Sequence, residues 1–205
     1  MVERINTIKE DLVACTDLVS KGSVNAVSGL SQMIGQEIHI TNLHARLVPV
    51  NETPDIVGGW EEMTLGVYLG VSGSANGHMF LLYSPPTALA LVDLLLGQPP
   101  GTTTDLDEME ESAMGEVGNI MGSFFLNALS DATGLTLQPS PPAVMTDMAG
   151  AILDVAMADI LQESDDALVV ETSFSTEDRQ IEGTLLMMPS PDLLRVLKER
   201  INDAN

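Results

Sequence analysis

With 205 residues and 44% hydrophobic content, the chain can bury a sizeable core, and its length fits one domain or two small similar halves better than a large multidomain enzyme. A formal charge of -22, from 30 acidic against 8 basic residues, repels nucleic acid and anionic lipid, so neither is an expected partner. No apolar run approaches the ~20 residues of a membrane span, and MVERINTIKEDL carries charges where a signal peptide has its apolar stretch, so a cytoplasmic protein is expected.

In chain order, Thr7 and Glu10 have capping-box spacing and open a helix that runs to about Ile34, with Gly35 as its stop. Cys15, the single cysteine, excludes an internal disulfide and reads as a helix-packing residue. Glu37 to Val50 has strand character, whereas Asn51 to Glu62, with Pro54 and Gly58-Gly59, reads as a loop in which Trp60 caps the edge of the core. Met63 to Val71 and Gly77 to Tyr83 flank the turn residues 72–76 as a hairpin, and Ser84-Pro85 starts a helix. Gln98 to Thr104 is short and Pro-rich, a stiff joint between halves. Beyond it, Asp105 and Glu108 have capping-box spacing for a helix to about Thr133, ended by Gly134. Leu135 to Met145 reads as strand, Asp147 to Leu161 as an extra helix, and Ala167 to Phe174 and Gln180 to Met188 as strands.

Two segments recur in order. Leu30-Ser31 to Gly35 matches Leu129-Ser130 to Gly134, 99 residues on, and Gly77 to Ser84-Pro85 matches Gly183 to Ser190-Pro191. Repeats of ~100 residues predict an α+β domain of pseudo-two-fold symmetry, with a central β-sheet and two long helices. The halves fall at about 1–98 and 104–205 of the single domain.

The second long helix carries the most informative stretch. Helical spacing lines Ser112, Glu116 and Asn119 along one face, and Val117, Ile120, Met121, Phe124 and Ala128 along a core-facing one. A carboxylate and a carboxamide one turn apart can bind a partner's cation and hold a water for attack, which is positioning chemistry rather than nucleophilic chemistry. Gly115, Gly118 and Gly122 each cost about 1 kcal/mol in a helix interior. Close packing on a neighbouring element would offset this, and so would a shallow face on which a partner lies.

Ser112, Glu116, Asn119 and Pro142 occupy every position of an extended pattern: Asp or Ser, three residues, Glu, two residues, Asn, twenty-two residues, Pro. On this pattern, on Asp147-Met148 and on both Ser-Pro segments, the chain resembles the CheC family of chemotaxis phosphatases, which includes CheX and FliY-type switch proteins. The resemblance implies removal of phosphate from the aspartyl phosphate of a CheY-type response regulator. In that reading Glu116 pairs with a regulator lysine and Asn119 orients the attacking water, while Ser112 and Pro142 support the motif. The enzyme needs no cofactor of its own, because the regulator brings its magnesium ion. The resemblance also implies CheD as a second partner, and it allows an alternative role as a noncatalytic adaptor in the chemotaxis or motor-switch apparatus. In the first half, Asp17 and Ser20 stand where the family has Glu and Asn, and Leu43 stands where it has Pro. A shortened carboxylate and a hydroxyl that can bond its own helix predict a degenerate first site.

Other chemistries find less support. His39, His44 and His78 lack metal-ligand spacing, and no Gly-x-Ser-x-Gly elbow occurs. The twelve methionines are expected to fill an aromatic-poor core. The acidity is spread over the whole length with few lysines, as in a halophilic proteome; recognition of a basic partner is the other reading.

Overall fold

The computed structural model describes residues 21–161, 166–177, 179–193 and 195–196; the Thr7–Glu10 cap and Cys15 lie outside them. Helical residues 21–34 (α1) end as expected at Gly35, which takes φ +67 and donates its N–H to the Ser31 carbonyl at 3.0 Å. The first half continues with β1 (His39–Pro49), a 3-10 helix (Val50–Val57), β2 (Met63–Gly73), β3 (Gly77–Tyr83) and α2 (Pro85–Leu95). The second contains α3 (Glu108–Thr133), β4 (Leu137–Pro139), β5 (Ala143–Met148), α4 (Ala149–Ile160), β6 (Asp166–Ser175) and β7 (Gln180–Pro189).

All these strands belong to one antiparallel sheet in the order β1-β6-β7-β3-β2-β4, with β5 also paired to β2. The hairpins β2–β3 and β6–β7 meet at the centre, where Leu81 faces Leu185. The outer strands are exchanged, since β1 of the first half pairs with β6 and β5 of the second half pairs with β2. Swapping the halves leaves this pairing scheme unchanged except for β4, which pairs with β2 and has no first-half counterpart on β6. Strand alternation sends Leu65, Val67, Leu69, Met79, Leu81 and Met187 to one face, under α1, α2 and α3. It sends Phe80, Leu82, Val169, Leu186 and Met188 to the other, under α4 and the 3-10 helix. The fold is therefore mixed α+β, with helices on both sides of the sheet.

Several local expectations need correction. The capping box lies two residues later than predicted: Asp107 accepts from the Met109 N–H at 3.0 Å, and Glu110 reaches back to the Asp107 N–H at 3.3 Å. Asp105 instead takes the N–H of Leu106 at 2.9 Å. The segment Asn51 to Glu62 is not all loop, because Val50–Val57 is a 3-10 helix that buries Val50, Thr53 and Pro54. Strand character from Leu135 to Met145 is broken at Ser140-Pro141-Pro142, since proline has no N–H to donate to a ladder. The apolar face of α3 is divided. Val117 and Met121 enter the sheet core, while Phe124 stays 38% exposed because it and Ile120 lie over Gly29 of α1, where a Cβ would overlap the Phe124 ring. Methionines fill the core at positions 79, 114, 121, 157, 187 and 188, but Met33, Met63, Met109 and Met148 are exposed.

The joint between halves is held rather than merely stiff. Asp93, fully buried at the end of α2, accepts the N–H groups of Gly101 (2.7 Å), Thr102 (3.1 Å) and Thr103 (2.7 Å). Arg179 donates to the carbonyls of Ala90 (3.3 Å) and Gln98 (2.9 Å) from the β6–β7 turn. Burial by itself would raise the Asp93 pKa, but the hydrogen bonds from the Thr103 hydroxyl and the three amides outweigh it and hold the carboxyl below its ordinary range.

Candidate active site

The outer face of α3 forms one side of an open groove of about 790 Å³. Glu108, Glu111, Ser112, Gly115, Glu116 and Asn119 line that side; Pro139, Ser140, Pro141, Pro142 and Val144 line the other. The four residues Ser112, Glu116, Asn119 and Pro142 are thus brought together in one place. Glu116 and Asn119 are exposed, and Ser112 and Pro142 line the same groove. Neither Glu116 nor Asn119 has a hydrogen-bond or ion-pair partner among the described residues, so both side chains are available to a visitor. Glu108 and Glu111 add two carboxylates, and no lysine or arginine lines the groove. Its field therefore attracts a cation.

The three glycines divide their work. A Cβ on Gly118 would overlap Val67 Cγ1, and one on Gly122 would come within 2.8 Å of Met79 and 2.9 Å of Leu69, so these two let α3 lie close on β2 and β3. At Gly115 a Cβ would meet only Pro142 Cγ at 3.6 Å and Val144 Cγ2 at 3.7 Å, ordinary contacts on the floor of the groove. Close packing accounts for two of the glycines and the shallow face for the third.

Sequence reasoning missed what holds the opposite wall. Ser140 donates its N–H to the Gly70 carbonyl at 2.7 Å, accepts the Gly70 N–H on Oγ at 2.9 Å, and donates its hydroxyl to the Pro141 carbonyl at 3.0 Å. These bonds fix the Ser-Pro-Pro run to β2 and set Pro142 against the helix. The two adjacent prolines were the available signal, because they force a break in strand pairing at that place.

The matching place in the first half differs. Asp17 and Ser20 lie outside the described residues. Leu43 pairs with Thr172 inside a continuous β1, which has only a bulge between Ile40 and Asn42, and its half-buried side chain packs on the main core. No proline wall stands there. Gly22, two residues after Ser20 in the chain, lets α1 approach Phe125, to which a Cβ would come within 2.9 Å. Among the described residues no group of three His, Cys, Asp or Glu side chains is gathered as metal ligands, and no helix is long and apolar enough to cross a membrane.

On its antiparallel sheet the chain thus presents the Glu-x-x-Asn face of α3 to a proline wall. The CheC-like family model matches residues 109–146, which span the helix and the wall. The chain is 32% identical over 190 residues to the CheY-P phosphatase CheC of Bacillus subtilis, covering 91% of each, and it belongs to the CheC-like family. Among solved structures, FliY of Thermotoga maritima has TM-score 0.77 at 22% identity, covering 96% of this chain and 98% of that one. CheX in the CheX-CheY-BeF3-Mg complex of Borrelia burgdorferi has TM-score 0.52 at 21% identity, covering 85% and 99%. FliM in a FliM-SpeE complex from H. pylori has TM-score 0.69 at 14% identity, covering 95% and 96%. These structural likenesses establish the fold.

Proposed function

We propose that this protein hydrolyses the aspartyl phosphate of a CheY-type response regulator, using the groove between α3 and the proline wall as its single competent site. The observation that carries the reading is the convergence of exposed Glu116 and Asn119 with Pro142 on one acidic groove, in a chain 32% identical to a CheY-P phosphatase. Water attacks phosphorus, the P–O bond to the regulator's aspartate breaks, and the products are the free carboxylate and inorganic phosphate. Glu116 binds a regulator lysine and so docks α3 beside the acyl phosphate. The Asn119 carboxamide accepts a hydrogen bond from the attacking water, turning a lone pair toward phosphorus; it needs no shifted pKa to do so. The magnesium ion is brought by the regulator, and this chain contributes no cofactor of its own. Charge neutralisation is thus the substrate's contribution, and alignment is this chain's.

The test is the decay of aspartyl phosphate on a co-resident CheY-type regulator with magnesium. Wild type should accelerate decay, and Asn119→Ala should remove most of that acceleration, roughly 10- to 100-fold. Equal rates for the two proteins would defeat the reading. A second reading, a noncatalytic adaptor of the motor switch, is favoured by the likeness to FliM. Regulator binding without acceleration by wild type would select it.

The remaining assignments belong to this proposal. The chain is one domain of two repeats, about 1–98 and 104–205, whose first site is inactive because Asp17, Ser20 and Leu43 replace the motif. It works in the cytoplasm of a halophile. CheD is proposed as a second partner, and failure of purified CheD from the same cell to co-migrate with this protein would remove it.

A further inference from the structure

Asp159, His78 and Tyr68 form a hydrogen-bonded line on the face of the sheet away from α3. Asp159 near the end of α4 places Oδ2 2.9 Å from His78 Nε2, and His78 Nδ1 lies 3.0 Å from the Tyr68 hydroxyl. With His78 neutral and its proton on Nε2, the ring donates to the carboxylate and accepts from the phenol, so one tautomer satisfies all three groups. The Tyr68 ring has little freedom, since it stacks on His78 at 5.9 Å between centroids and tilts against Phe80 at 5.2 Å.

The hydroxyl of Tyr68 ends over Gly70. A Cβ on Gly70 would stand 3.3 Å from Tyr68 Oη and 3.6 Å from Ser140 Oγ, so those two oxygens share the space that the glycine leaves. Gly70 is the residue that exchanges both of its backbone bonds with Ser140, the first residue of the Ser-Pro-Pro wall. It also sits opposite His78 in the β2–β3 register. A brace for α4 would need only the His78–Asp159 contact. The Tyr68 ring packs on the same cluster as α4, but its hydroxyl lies beside Gly70, the anchor of the wall.

We infer that Tyr68, His78 and Asp159 are positioning residues that hold the Ser140–Pro142 wall against α3 and so set the width of the groove. The inference rests on the proposed docking of a regulator in that groove. None of the three touches the groove itself, so their loss should change how well the regulator fits rather than the chemistry at Asn119.

The experiment compares wild type with His78→Ala, His78→Gln and Tyr68→Phe. Amide exchange at Gly70 and Ser140 is followed by NMR, and regulator dephosphorylation is resolved into kcat and KM. In His78→Ala and Tyr68→Phe, both amides should exchange about tenfold faster, and KM should rise several-fold with kcat within about twofold. The glutamine carboxamide offers an NH2 donor group and a carbonyl acceptor, so His78→Gln should restore both readouts toward wild type. Unchanged exchange at Gly70 and Ser140, a fall in kcat alone, or a glutamine variant no better than alanine would each overturn the inference. If wild type neither binds nor dephosphorylates the regulator, the functional reading fails, and amide exchange still decides whether the three residues hold the wall.

Discussion

Gly115 and Gly118 stand three residues apart on α3 and face opposite demands. Gly118→Ala puts a methyl into Val67, in a core without slack, and should cost about 1–3 kcal/mol. Gly115→Ala meets only van der Waals neighbours and gains helix propensity, so it should be neutral or stabilising by up to about 1 kcal/mol. Urea midpoints decide the pair; equal losses would mean that α3 can shift on the sheet. The same scale shows how much of the site was legible. Ser112, Glu116 and Asn119 were readable because helical period alone places them on one face. The Ser140–Gly70 bonds were not, since the partners lie 70 residues apart and meet only through sheet registry. Phe124 departs from its expected place for a related reason: periodicity says which residues share a face, but the glycine that lets a ring lie flat belongs to another helix.

Among the elements, the joint after α2 depends on one carboxylate. The folded pKa of Asp93 lies below its unfolded value near ~3.9, so its stabilisation is complete above that value and is lost as pH falls through the folded one. Asp107 at the start of α3 is held down as well, by hydrogen bonds to Glu110 and Met109, and acts in the same direction. Asp93→Asn keeps the volume but loses acceptor capacity for three amides. It should destabilise by about 1–3 kcal/mol at neutral pH and flatten the acid limb of the stability profile. Chemical denaturation from pH 3 to pH 7 checks both, and an unchanged acid limb would assign it to other carboxylates. Element types were largely legible from turn residues and apolar period. Their ends were less so, because the choice between Asp105 and Asp107 as the cap depends on which side chain reaches back in three dimensions.

For the whole molecule, the charge of -22 sets up self-repulsion that salt relieves. Raising KCl from 0.1 M to 1 M shortens the screening length from ~10 Å to ~3 Å and should raise the thermal midpoint by several degrees. A midpoint that stays level would count against the halophilic reading. By itself, the sequence determined most element types and the helix face that carries Glu116 and Asn119, because these follow from local period and turn chemistry. Only the tertiary structure decided the exchange of outer strands between halves, the proline wall opposite α3, the Asp93 clasp and the line from Asp159 to Tyr68. Each of these joins residues distant in the chain, and their pairing is selected by packing of the whole core rather than by any local pattern.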